Sequence, residues 1–148
     1  MKTIFDKATR EELIARISLL NEINNAQWGS MSVFQMIKHC SLWEEMMLGR
    51  KKYKRAFAGY LFGRIALKAV TKDDGPLRKN SPTIPEFKIK ESDGDIEIEK
   101  NKWIKLIEEY ADFSNDALVH PFFGSMTKEQ IGYMVYKHTD HHLRQFNG

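Results

Sequence analysis

Two of the five histidines in this 148-residue chain, His138 and His142, stand one helical turn apart in the stretch TKEQIGYMVYKHTDHHLRQF, residues 127–146. Thr127 with Gln130 reads as a capping box, and the rest reads as one helix. With Ile131 at zero and about 100° per residue, His138 falls near −20° and His142 near +20°. Val135 near +40° and Gln145 near −40° flank them, all roughly placed by ideal helix geometry. Both imidazoles therefore sit in the middle of the inward face, while Asp140 points away and His141 lies at the margin. A hydrogen bond to a neighbouring helix explains one such histidine. Two are harder to explain, because each brings polar nitrogens that are costly to bury unpaired. A divalent metal ion removes the difficulty by taking one nitrogen from each ring, and i,i+4 spacing sets both on the same side of the ion. Core packing and metal ligation both stand until a third ligand is found.

That ligand has to come from another element. Ser32 with Gln35 caps a second helix running to about Gly49, with an apolar stripe of Met36, Ile37, Cys40, Trp43 and Met47. His39 lies roughly 60° off Met36, on the shoulder of that stripe, where a ring can reach a neighbouring helix or solvent. His120, in the bridge His120-Pro121-Phe122-Phe123-Gly124, is a further candidate, but it reads better as a loop residue held by the turn. Cys40 adjoins His39, yet adjacent helical residues point about 100° apart, so it reads as a small core hydrophobe.

The remaining elements read as helices. A first helix is expected over Lys7–Ile23, with Thr9 and Glu12 as its capping box and Leu13, Ile14, Ile17, Leu20 and Ile23 as its stripe. Arg50–Arg55 is a basic run leading into Ala56–Val70, which is apolar almost all round. A membrane-surface or nucleic-acid patch is one reading; a bundle helix with a solvated entry, Arg64 and Lys68 marking its wet side, is preferred. Thr71–Glu91 holds three of the four prolines and is expected to be a long irregular crossover that covers or shapes a site. A further helix starts at Asp93 or Asp95 and runs to about Phe113, burying Trp103, Ile104, Ile107 and Tyr110. The alternation of Ile96 and Ile98 is too short for a strand with any evident partner. The expected architecture is all-α: a four-helix bundle with a long crossover connection. Bundles build metal sites from side chains on facing helices, and three protein ligands leave a coordination position open.

Composition narrows the class. The length suits one domain spanning residues 1–148, and 42% hydrophobic with 29% charged residues is that of a globular protein. A net charge of +3 is too small to argue for nucleic acid. One cysteine excludes an internal disulfide framework and fits a reducing cytoplasm; no secretory signal or membrane-spanning run is read, so a cytoplasmic location is expected. No nucleotide-binding loop or serine triad competes with the histidines.

The segment Trp28–Cys40 (WGSMSVFQMIKHC) resembles the second-helix motif of the DinB-like (YfiT-like) superfamily. His120–Gly124 followed by Lys137–Phe146 (KHTDHHLRQF) resembles its C-terminal motif. The resemblance covers most of the chain in layout. It implies a four-helix bundle holding a divalent metal, usually zinc or nickel, through His39, His138 and His142. It also implies an enzyme that uses a low-molecular-weight thiol as cofactor, of the thiol S-transferase type, on a small electrophilic substrate. Water in place of thiol would make it a hydrolase with the same ligands, and a non-catalytic metal-stabilised bundle is the third reading. A basic binder working through Arg50–Lys68 ranks last; the partners expected are a small molecule and, by resemblance, a second copy in a homodimer, with no nucleic acid and no membrane. Gln35, Gln145 and His141 are near enough to tune the site.

Overall fold

The computed structural model describes residues 1–148 except Asp116. The described residues are mostly helical. Five α-helices, α1 (Lys7–Ser18), α2 (Val33–Met47), α3 (Phe57–Val70), α4 (Ile96–Glu108) and α5 (Lys128–Gln145), are joined by loops, two 3-10 turns (Pro85–Phe87 and Glu109–Asp112) and a two-residue hairpin. In the hairpin β1 (Val119–His120) runs antiparallel to β2 (Gly124–Ser125), pairing Val119 with Ser125 and His120 with Gly124.

Helix ends follow local chemistry. Ser32 and Thr127 each accept from the backbone N–H three residues on, while Gln35 and Gln130 reach back to the cap, closing both expected capping boxes. Asp95, not Asp93, caps α4, and Ile96 and Ile98 belong to its first turn: Ile96 is buried and Ile98 exposed. Helix α1 starts at Lys7 as expected, but its cap and its end differ. Asp6 precedes it without a side-chain cap bond, and Thr9 is buried inside it. It stops at Ser18 rather than Ile23 because the Lys100 Nζ of α4 donates to the Ser18 and Leu20 carbonyls at 3.2 and 3.0 Å. Asn21 then turns the chain, accepting from the Ile23 N–H, so Leu20 is buried and Ile23 is 83% exposed.

Four helices share the core. Helix α2 lies along α4 and against α5, and α1 closes the group against α4 and α5. The stripe on α2 is buried as its spacing requires, facing Trp103 and Ile107 of α4, Leu13 and Ile17 of α1, and Ile131, Val135 and Leu143 of α5. Helix α3 is different. It buries only Gly59, Gly63 and Leu67 and packs on the hairpin, so it is not the core helix its apolar sequence implied. A Cβ at Gly59 or Gly63 would come within 2.5 or 2.1 Å of the Phe122 carbonyl oxygen, so the helix rests backbone to backbone on the hairpin turn. Buried Lys137 of α5 donates to the Val70 and Asp73 carbonyls and ties down the end of α3.

Candidate metal centre

The inward faces of α2 and α5 bring His39, His138 and His142 together. Each offers a nitrogen within 4.8 Å of those of the other two. Ring centroids are 5.4 Å apart for His39–His138, 4.9 Å for His39–His142 and 4.7 Å for His138–His142. All three are buried, at 4%, 8% and 7% exposure. The shoulder position of His39 on α2 is therefore enclosed, because the 71–91 crossover folds over it.

That crossover sets the first tautomer. The Phe87 carbonyl, at the end of the 3-10 turn, lies 3.0 Å from His39 Nδ1. A carbonyl only accepts, so Nδ1 carries the proton and Nε2 keeps the lone pair. A relay sets the second. Gln145 Nε2 donates to the Trp28 carbonyl at 2.7 Å, which fixes the amide's orientation and turns Oε1 toward His142 Nδ1 at 2.9 Å. His142 Nδ1 must then donate, and its Nε2 is also a lone-pair nitrogen. Gly29 makes room for the relay: its φ is +79°, and a Cβ there would lie 2.8 Å from Gln145 Nε2. His138 is held by stacking on the Trp43 indole, centroids 3.9 Å apart and planes 12° apart, and its buried Nδ1 has no hydrogen-bond partner among the described residues.

Electrostatics keep the rings neutral. Burial, reinforced by the neighbouring histidines, pushes His138 well below the usual imidazole range. Burial and the nearby His39 bring His142 down to about 3, and burial lowers His39. Nε2 of His39 and Nε2 of His142, both left as acceptors, cannot hydrogen-bond to one another; a shared electrophile would satisfy both. The set fits a divalent metal on chemistry alone: neutral imidazoles, fixed from behind by a carbonyl and an amide, are the donors that zinc and nickel accept. These three buried histidines could hold a metal ion.

The other candidates lie outside the cluster. His120 sits in the hairpin with Nδ1 accepting from the Phe122 and Phe123 N–H groups at 3.1 and 3.2 Å, a histidine held by its turn. Burial and the Arg55 charge lower it to about 4. His141 is half-buried at the margin, 5.4 Å from the Trp28 ring, and Lys79 Nζ stands 4.3 Å above that indole. Gln35 spends its side chain on the α2 cap and on the Glu91 carbonyl. Cys40 is fully buried with its thiol pushed well up by burial and by Glu44, so it is no nucleophile.

Sequence reading missed Phe87, Trp28, Trp43 and Glu44. No spacing marks the Phe87 carbonyl, because backbone acceptors carry no side-chain signature. Glu44 lies on the inward side of α2, fully buried, accepting from Tyr110 Oη at 2.5 Å and Thr139 Oγ1 at 3.2 Å. Burial raises its carboxyl to about 8, against those hydrogen bonds. The Trp103 indole also faces this carboxyl, though without hydrogen-bond geometry. An acidic residue inside an apolar stripe was the available signal.

No curated protein and no solved structure matches the chain. Residues 5–148 match the family described as "Protein of unknown function (DUF1569)", and because that span is nearly the whole chain, the protein belongs to this family.

Proposed function

We propose that His39, His138 and His142 hold a divalent metal ion, zinc or nickel, in a four-helix bundle of DinB-like type formed by α1, α2, α4 and α5. On this reading the protein is a metal-dependent enzyme that uses a low-molecular-weight thiol, of the S-transferase type, on a small electrophilic substrate. The observation that carries it is the enforced direction of two imidazole lone pairs, His39 through Phe87 and His142 through Gln145 and Trp28. The ion would supply Lewis acidity, lowering the pKa of a thiol that reaches its open position.

The chain's own groups favour thiol over water. The metal-ligand grouping among the described residues consists of histidines only, with no carboxylate in it to act as a hydrolytic base. A thiolate needs none once formed. Cys40 cannot provide the sulfur, so the thiol comes from outside. Lys79 above Trp28, next to His141, offers a cation at the margin of the cluster to a thiol carrying carboxylates.

Elemental analysis of the purified protein beside His39→Ala and His142→Ala variants tests the first step. About one metal ion per chain is expected in the native protein and a loss in both variants. Incubation with glutathione, bacillithiol or mycothiol and an electrophilic dye tests the second. Thiol-dependent conjugation that disappears with the metal supports the reading. Metal-free protein that resists loading overturns it, as does turnover of esters without thiol, which would make it a hydrolase.

A further inference from the structure

Helix α3 turns an apolar face to solvent. Phe57 is 80% exposed, Ile65 71%, Tyr60 67%, Leu61 60% and Phe62 58%. The helix is not a loose end. Gly59 and Gly63 seat it on the Phe122 backbone, the Ala56 N–H donates to the Pro121 carbonyl at 2.9 Å, Arg64 reaches the Ser125 carbonyl and Lys137 holds its C-terminus. The small residues face inward at i, i+4, which leaves the large hydrophobes outside except Leu67, which is buried, and Val70, which packs partly buried against the core. A fixed face of large side chains is costly to leave in water and marks a docking surface.

Charge says what covers it. Residues 50–72 contain eight lysines and arginines and no acidic residue, so a chain of net charge +3 is acidic elsewhere. Arg50 and Lys51 are paired with Glu109 and Glu45, and Arg55 lies over the Tyr60 ring. Lys52, Lys54, Arg64 and Lys68 have no acidic partner among the described residues. Arg64 and Lys68 flank the apolar face and, with Thr71 and Gln130, line a hollow of ≈ 410 Å³ at its edge. Cations beside exposed Phe, Leu and Ile on one helix match an anionic lipid surface, where apolar side chains enter the acyl boundary and the cations meet headgroup phosphates. A second copy apposed through a twofold axis would set these cations against their own copies. Nucleic acid would leave the hydrophobes unsatisfied.

We propose that α3, with the basic run 50–55 before it, docks the protein peripherally on an anionic membrane surface, against the sequence expectation of no membrane. No described helix is long and apolar enough to cross a bilayer, so the contact is interfacial. The docked face is the back of the hairpin that carries His120, whose ring is 6.4 Å from that of Trp43, the indole stacked on His138.

Flotation with phosphatidylcholine vesicles, with and without 30 mol% phosphatidylserine, tests the proposal on the full chain at low and high salt. Binding to the anionic vesicles alone, weakening as salt rises, is expected. Lys54→Gln with Lys68→Gln should weaken it roughly 30-fold, and Leu61→Ser with Phe62→Ser by more than tenfold. These side chains are exposed, so circular dichroism and metal content should be unchanged in every variant. Absence of binding to anionic vesicles at low salt overturns the proposal. So does a concentration-dependent dimer abolished by Leu61→Ser and Phe62→Ser without vesicle binding, or nucleic-acid binding indifferent to those two changes.

Discussion

Replacing Gln145 with alanine tests the argument that the relay, and not the bare presence of three histidines, makes the cluster a metal site. Gln145 is 3% exposed and touches no part of the cluster except His142 Nδ1. Its loss removes an acceptor at 2.9 Å and a donor to the Trp28 carbonyl at 2.7 Å. The His142 ring is then free to put its proton on Nε2, and in that tautomer Nε2 cannot ligate. Losing such an orienting partner costs about 10- to 100-fold in metal affinity, equivalent to about 1.4 to 2.7 kcal/mol. The buried Trp28 carbonyl and the cavity add about 1–3 kcal/mol of lost stability, independent of metal. Competition with a chromophoric chelator at pH 7.5 measures the affinity of wild type, Gln145→Ala, Gln145→Glu and His142→Ala. The glutamate still accepts from Nδ1 but cannot donate to Trp28, so it should hold metal better than alanine while folding less stably than wild type. Wild-type affinity in Gln145→Ala, with binding lost in His142→Ala, would refute the tautomer argument; so would equal losses in the alanine and glutamate variants.

Two further outcomes follow from the buried groups. The folded protein keeps a proton on Glu44, at about 8, that the unfolded chain has lost above the ordinary carboxyl range, so stability should fall as pH rises from about 4.5 toward 8. Glu44→Gln should abolish that slope and stabilise the protein at pH 8 by a few kcal/mol, on the order of the linkage energy, read as urea midpoints at pH 5 and pH 8; an unchanged slope would show the carboxyl ionised in the fold. Gly63→Ala should lower the melting temperature, losing about 1–3 kcal/mol, although alanine is the better helix former by about 1 kcal/mol. The added Cβ meets the Phe122 carbonyl oxygen, a backbone atom that cannot swing aside; a raised melting temperature would show that α3 is not seated as described.

The amino-acid sequence by itself determined which faces turn inward. The i,i+4 pair on α5 and the stripe on α2 follow from periodicity, and the capping boxes at Ser32 and Thr127 depend on neighbours three residues away. That His120 is held by its turn, though it lies in β1 rather than in a loop, and that Cys40 is a core residue were legible for the same reason: each is a short-range consequence of turn or helix geometry. Tertiary structure alone decided the rest. That His39 meets His138 and His142 depends on how two helices about a hundred residues apart in the chain are packed, and that its Nε2 is the nitrogen left with a lone pair depends on the carbonyl of Phe87, a group every residue possesses. The end of α1 was misplaced because Lys100, distant in sequence, takes its last carbonyls. The face of α3 was misjudged because a helix apolar nearly all round, with only Arg64 and Lys68 on its wet side, reads as a bundle helix, whereas two glycines let it sit so close to the hairpin that its large side chains have only the outside to occupy. Periodicity records the direction a side chain takes from its own helix; it holds no record of what stands opposite.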